Sequence, residues 1–194
     1  MWNSFRQLIE QFAPIQEDDF EKARPFFKEL RLAKGDFFIK EGEVSHRLGY
    51  LQQGILRSYY ISEKGTDTTY CFCTDHHMEC SFKSFLQQQP SRLSIQAMEE
   101  ATLLVIEKND LNKLFANSLF WSNVGRVLTE YEYLKMELHA SEIKTENAKE
   151  KYLRLQKEHP VLIRKVPLHY IASYLGITGR HLTRLRKELQ AEGL

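Results

Sequence analysis

A chain of 194 residues with 42% hydrophobic and 27% charged side chains has room for one domain or two small ones and the composition of a soluble globular protein. No apolar run reaches the roughly 18 residues that a bilayer span needs. The opening stretch MWNSFRQLIEQF is amphipathic and unlike a signal peptide, so a cytoplasmic protein with no membrane partner is expected. The formal net charge of +1 hides an asymmetry: residues 141–194 hold 11 Lys and Arg against 6 Asp and Glu, net +5, while residues 1–140 hold 16 against 20, net −4. A cationic segment gains affinity for DNA by releasing counterions from phosphates, so the pattern suits an acidic sensor joined to a basic reader.

In chain order, Trp2, Phe5, Leu8, Ile9 and Phe12 mark one face of a helix that Pro14 ends. A second helix follows, with Glu17 to Asp19 in its first turn and Phe20, Ala23, Phe26 and Phe27 as its buried side. From Leu32 to Ile106 the period changes to alternation, and Gly35, Gly42 and Gly54 punctuate short runs rich in Phe, Ile, Tyr and Leu. Such runs predict an antiparallel roll or jelly roll.

The only cysteines, Cys71, Cys73 and Cys80, lie in this stretch with His76 and His77. Three cysteines so close together do not make the disulfide framework of a secreted protein. Sulfur and imidazole are ligands that zinc or iron would choose, but the spacing matches no zinc ribbon, and Cys71 and Cys73 share a strand face as small core residues do. No metal site is assigned.

After the roll, Asn109 or Asp110 is the expected cap of a short helix with Leu111, Leu114 and Phe115 inward. The longest helix comes next. Phe120, Val124, Val127, Tyr131, Leu134 and Leu138 alternate steps of four and three, a heptad seam that calls for a partner helix and marks a dimer interface. A linker is expected near Ala140 to Thr145, with Thr145 capping a helix whose inner face is Ala148, Tyr152 and Leu155.

The stretch PLHYIASYLGITGRHLTRLRKEL, Pro167 to Leu189, reads as a helix-turn-helix. Pro167 suits a first helical turn, Leu168, Ile171, Ala172 and Leu175 form an apolar stripe, and Gly176 allows a sharp turn. Ile177 plugs the elbow, Thr178 caps the second helix, and Leu182, Leu185 and Leu189 face inward. That leaves Arg180, His181, Thr183, Arg184 and Lys187 open. A helix fits the major groove, where arginine forks onto guanine O6 and N7 and threonine reaches base edges. With Thr178 and His169, which joins Arg164 and Lys165 as a phosphate contact, these are the candidate DNA-binding residues.

Ala172, Gly176, Ile177, Thr178 and the run from Leu182 to Lys187 resemble the DNA-binding end of the Crp/Fnr transcription regulators, in particular the short variety typical of Bacteroidetes. Lys34-Gly35, Glu41-Gly42-Glu43 and Gly54 resemble the turns of their cyclic-nucleotide-binding roll. The resemblance implies a homodimer on an inverted-repeat operator, double-stranded DNA as partner, RNA polymerase as a further candidate partner, and a small effector held in the roll. Family members that bind cyclic AMP hold its ribose with a Gly-Glu pair and its phosphate with an Arg before Ser or Thr. Here Glu79 stands for the glutamate, Met78 replaces the glycine, and Ser91 takes the arginine's place with Arg92 one step late. One step on a strand turns a side chain to the other face, so cyclic AMP is not expected to bind in the usual way and no cofactor is assigned. The candidate effector pocket comprises Glu79, Ser91, Arg92, Arg57 and Lys83. After Leu189 only QAEGL remains, too little for the β-hairpin wing of many members.

The expected architecture is therefore α+β: a β-roll sensor with N-terminal helices over residues 1–116, a dimerisation helix and hinge over 117–144, and a helix-turn-helix domain over 145–194. No P-loop, G-x-S-x-G elbow or H-E-x-x-H is present, so no enzyme is expected. The competing readings are a ligand-binding signalling module without DNA binding and a cupin-like metalloenzyme on the roll.

Overall fold

A computed structural model describes residues 2–63 and 65–192. The chain divides into two units, Met1–Ser58 with Phe72–Glu137, and Tyr59–Cys71 with Leu138–Leu194.

In the first unit, helix α1 (Trp2–Glu10) buries Phe5 and Ile9, and α2 (Glu17–Ala23) buries Phe20 and Ala23 behind an acidic first turn. Phe26 and Phe27 do not continue α2 as their spacing suggested. Pro25 lacks the amide that would extend the helix, so the chain makes a 3-10 turn over Arg24–Phe26 and enters strand β1 (Phe27–Leu32). The strands β2 (Phe37–Ile39), β3 (Arg47–Gln53), β4 (Leu56–Ile61), β5 (Asp67–Cys73) and β6 (His77–Glu79) follow. A short helix α3 (Phe82–Gln87) then precedes β7 (Ser94–Ala97) and β8 (Ala101–Glu107). They form two four-stranded sheets, ordered β1-β8-β3-β6 and β2-β7-β4-β5. β8 is antiparallel to both neighbours, with Leu32 opposite Ala101 on one side and Leu51 opposite Leu103 on the other.

Alternation along β8 divides the core. Leu103 and Val105 join Leu32, Phe38, Leu51, Leu56 and Ile95 in one cluster. Leu104 and Ile106 turn the other way, toward Phe5, Phe20, Tyr50, Leu114, Trp121 and Val124. Each such side chain withdrawn from water contributes about 1.5–3 kcal/mol. Gly54, after β3, has φ +116°, and a Cβ there would lie 2.8 Å from the Ala101 Cα and the Glu100 carbonyl. Its amide donates to Asp75 Oδ1 at 2.7 Å, which ties this turn to the β5–β6 connection.

Helix α4 (Lys108–Asn117) buries Leu111 and Leu114, and its N-cap is Glu107 rather than Asn109 or Asp110. Helix α5 (Leu119–Thr145) runs 27 residues, straight through the stretch expected to be a linker. Thr145 therefore ends α5 and caps nothing. The cap of the next helix, α6 (Ala148–Glu158), is Asn147: its side chain accepts from the Lys149 and Glu150 amides, and the Glu150 carboxylate accepts from the Asn147 amide. This reciprocal box satisfies donors that a helix start otherwise leaves unpaired.

The second unit continues with α7 (Pro160–Lys165), α8 (Leu168–Leu175) and α9 (Gly179–Ala191). Tyr152, Leu155, Leu162, Val166, Ile171, Ala172, Leu175, Leu182, Leu185 and Leu189 are its buried apolar side chains. Pro167 is the N-cap of α8, one position before the first helical turn it was expected to enter.

Candidate functional site

The second unit presents the helix-turn-helix. Gly176 closes α8 at φ 71°, and its amide donates to the carbonyls of Ala172 and Ser173. The left-handed conformation, which glycine adopts without strain, redirects the chain within two residues of α9. Thr178 then caps α9, its hydroxyl accepting from the His181 amide at 3.2 Å. Ala172, 2% exposed, is small enough to let α8 and α9 cross closely.

Leu182, Leu185 and Leu189 fix the inner side of α9, which leaves Arg180, His181, Thr183, Arg184 and Lys187 exposed. Two details refine this face. The Thr183 hydroxyl donates to the Gly179 carbonyl at 2.9 Å, so its proton is spent on the helix while its methyl and lone pairs face out. Arg184 Nε lies 3.6 Å from Glu188 Oε1, and an exposed pair of that kind is held weakly and released readily. His169 is exposed on α8, its ring centroid 3.9 Å from that of Tyr170.

Within the roll, the residues expected to form an effector pocket differ in exposure. Ser91 is buried and Arg92 is exposed, but both lie in a bend before β7 (Ser94–Ala97) and not on the strand the sequence reading assumed, so alternation does not set their facing. Lys83 is exposed on α3, and Arg57 is fully buried in β4. Glu79 is partly buried in β6, opposite Gly49 of β3. Burial pushes its carboxyl up to about 7, against the opposing pull of the Cys80 amide; Glu132 raises it and Lys135 lowers it. The neighbouring Cys80 thiol is also pushed up by burial, away from the reactive thiolate.

Apart from Ser91, sequence reading missed a set of buried serines. Ser45, Ser58, Ser81, Ser84, Ser91 and Ser94 are each at most 6% exposed. Ser91 Oγ lies 2.7 Å from Ser81 Oγ, and Ser84 Oγ accepts from the Ser45 amide and donates to the Gln89 carbonyl. Ser58 Oγ is buried with no hydrogen bond of ordinary geometry among the described residues, and lies near enough to the Glu79 carboxyl to stabilise its charged form slightly. No local pattern marks these positions, because their partners lie on other segments.

Among the described residues, no group of His, Cys, Asp and Glu is arranged to hold a metal ion. His76 Nδ1 is 2.8 Å from the Tyr50 hydroxyl, and His77 Nδ1 is 3.0 Å from the Asp75 carbonyl oxygen. Cys73 is buried and Cys71 half-buried in β5, both as free thiols.

On α5 the heptad positions diverge. Val124, 3% exposed, packs with Trp121 in the core of its own chain, and Phe120 packs partly against the same cluster. Val127 is half-buried, whereas Tyr131, Leu134 and Leu138 are 45%, 60% and 61% exposed. The early turns therefore serve the roll, and the uncovered part of the seam begins at Tyr131. Leu119, Tyr133 and Met136, outside the expected seam, are also exposed.

Residues 29–118 match the cyclic nucleotide-binding domain family. The chain is 25% identical over 99 residues to the anaerobic regulatory protein of Bacillus subtilis strain 168, a match covering 51% of this chain and 42% of that protein. It therefore spans less than half the length of that relative. The fold is similar to that of FixK2 from Bradyrhizobium japonicum, at TM-score 0.69 and 19% identity over 86% of each chain. It is also similar to the c-di-GMP responsive global regulator CLP of Xanthomonas campestris, at TM-score 0.67 and 16% identity over 92% of this chain and 94% of that one. Residues 29–118 form a segment similar to cyclic nucleotide-binding domains, and the chain shares the fold of these solved structures. The Bacillus subtilis and Xanthomonas campestris proteins are named as regulators. No helix among the described residues is long and apolar enough to cross a membrane.

Proposed function

We propose that this protein regulates transcription as a cytoplasmic homodimer that reads an inverted-repeat operator with α9 and answers to a small effector in the roll. The observation that carries the reading is the composition of one helix face. Arg180, Thr183, Arg184 and Lys187 stand exposed together on α9, while the opposite side of that helix is locked down by three buried leucines. A cationic, hydrogen-bonding helix presented in this way suits the major groove. The exposed Tyr131, Leu134 and Leu138 supply the apolar surface that a second copy would cover. A two-fold dimer places two recognition helices about 34–36 Å apart, which calls for half-sites one helical turn apart.

Selection of bound duplexes from a random pool by the purified protein tests the reading. The expected product is an inverted repeat with that spacing. Recovery of no enriched sequence, with no retardation of any duplex at low salt, overturns it. Repeating the selection with candidate nucleotides and dinucleotides identifies the effector by the change in yield.

A further inference from the structure

A cleft of about 280 Å³ lies between α6, α7 and α9, lined by Tyr152, Gln156, Ile163, Arg164, Arg186 and Gln190 among others. Its two arginines come from different helices and neither has a carboxylate partner among the described residues. Elsewhere in this unit Arg154 pairs with Glu146 at 3.0 Å and Glu158 at 3.7 Å, and Arg184 lies near Glu188. Two arginines lining one concavity without a carboxylate partner among the described residues repel each other, and an anion with several oxygens relieves both. The side-chain amides of Gln156 and Gln190 add neutral donors on the same walls.

The position of the cleft on α9 selects the anion. Arg186 follows Thr183 by three residues and Gln190 follows Arg186 by four, so a line of side chains runs from the exposed face directly into the cleft. The other flank of α9 carries Glu188, one turn after Arg184. A helix lying in a groove has one phosphate strand along each flank, and these flanks differ in charge. We propose that Arg164 and Arg186 grip a single backbone phosphate of duplex DNA through their guanidinium forks, so that α9 is anchored to one strand beside the groove it reads. This rests on the DNA-binding reading above. It assigns Arg186 a role that no base-reading pattern gives it, since this side chain is half-buried and turned away from the open face.

The test uses the full chain and a duplex selected by the wild-type protein. Replacing both arginines, R164Q/R186Q, is expected to weaken binding about tenfold for selected and unrelated duplexes alike. The slope of log affinity against log salt should fall by about 0.9, as it does when the protein neutralises one phosphate fewer. The lysine pair R164K/R186K keeps the charge and loses the fork, so it should bind more weakly with the wild-type slope. Should the glutamine pair fail to fold by circular dichroism, the lysine pair decides: wild-type affinity there overturns the fork. Unchanged affinity and slope in R164Q/R186Q overturns the site while leaving the DNA reading intact. Altered base preference overturns it too, because it makes Arg186 a base contact. If the wild-type protein retains no duplex at all, the reading and the site fall together.

Discussion

The hydroxyls of Ser91 and Ser81 lie 2.7 Å apart, and Ser91 Oγ also sits 2.8 Å from the Leu93 carbonyl and accepts the Leu93 amide at 3.0 Å. The side chain that occupies the expected phosphate position is therefore already saturated within the chain. A cyclic phosphate brought there would leave water and meet hydroxyls where relatives supply an arginine, and neutral hydroxyls return less than burial of the anion costs. Calorimetry with cyclic AMP at micromolar concentrations should give no heat. Tight binding that disappears in Arg92→Ala would mean that the bend before β7 rearranges around the ligand and delivers the exposed arginine inward.

For operator reading, Arg184→Ala should lose on the order of 1–3 kcal/mol of discrimination at one base pair. Because Arg184 lies near Glu188 in the free protein, Glu188→Gln should leave base preference alone and modestly raise affinity, since a carboxylate beside the phosphates repels them. Competition assays over a set of single-base operator variants measure both effects. An Arg184→Ala protein that binds every variant equally more weakly would show that this side chain meets phosphate only.

Leu134→Asp together with Leu138→Asp should give folded monomers, because both side chains are exposed and neither contributes to the core of its own chain. Val124→Asp should do something different. At 3% exposure it sits among Trp121 and Leu114, and an unpaired buried carboxylate there should destabilise the fold by several kcal/mol, on the order of 3–5. Sedimentation separates the first outcome from an intact dimer, and denaturant titration detects the second.

Glu79 gives the fold a pH dependence opposite to that of a salt-bridged carboxylate. Its folded-state pKa, about 7, lies above the ordinary 4.5, with burial as the main cause. Below the ordinary value both states are protonated and the group contributes no penalty. As pH rises from there toward 7, the unfolded chain sheds its proton while the folded chain holds it, and stability falls, with a limiting slope of about 1.4 kcal/mol per pH unit. Above 7 the penalty is constant. Glu79→Gln should therefore be more stable than the wild type at pH 8 and about equal to it at pH 4, as read by urea denaturation at both values. Parallel pH profiles for the two proteins would remove Glu79 as the cause.

Much of the architecture was legible because it rests on local patterns. Gly176, Thr178 and the leucine spacing of α9 each have their effect within a few residues, and the structure places a turn, a cap and a buried stripe there. The alternation in β8 likewise shows its two faces directly. What escaped reading depends on competition between neighbours or on distant partners. Phe26 and Phe27 fit a helical face, but Pro25 intervened. Thr145 and Asn147 are both capping residues, and only Asn147 has a glutamate three positions later that completes the box. The even heptad spacing of α5 hid a change of partner, with Val124 committed to the roll and Leu134 left open. The serine cluster and the paired arginines of the α6–α9 cleft arise from segments far apart in sequence, so no window of residues contains the signal.

Gly54 sets a limit on how this protein can vary over time. Its backbone angle excludes side chains on conformational grounds, and the Ala101 backbone 2.8 Å away excludes them again on grounds of space. The two objections are independent, so no compensating change in a flexible neighbour lifts both. Gly176 is also at positive φ, 71°, but nothing lies within 4 Å of an added Cβ there, and asparagine commonly fills such a helix end. A saturation library selected for folding should return glycine alone at the first position and a mixture of glycine and asparagine at the second. Descendants of this chain should therefore be free to drift at the elbow between α8 and α9 while remaining pinned at the turn that joins β3 to β4.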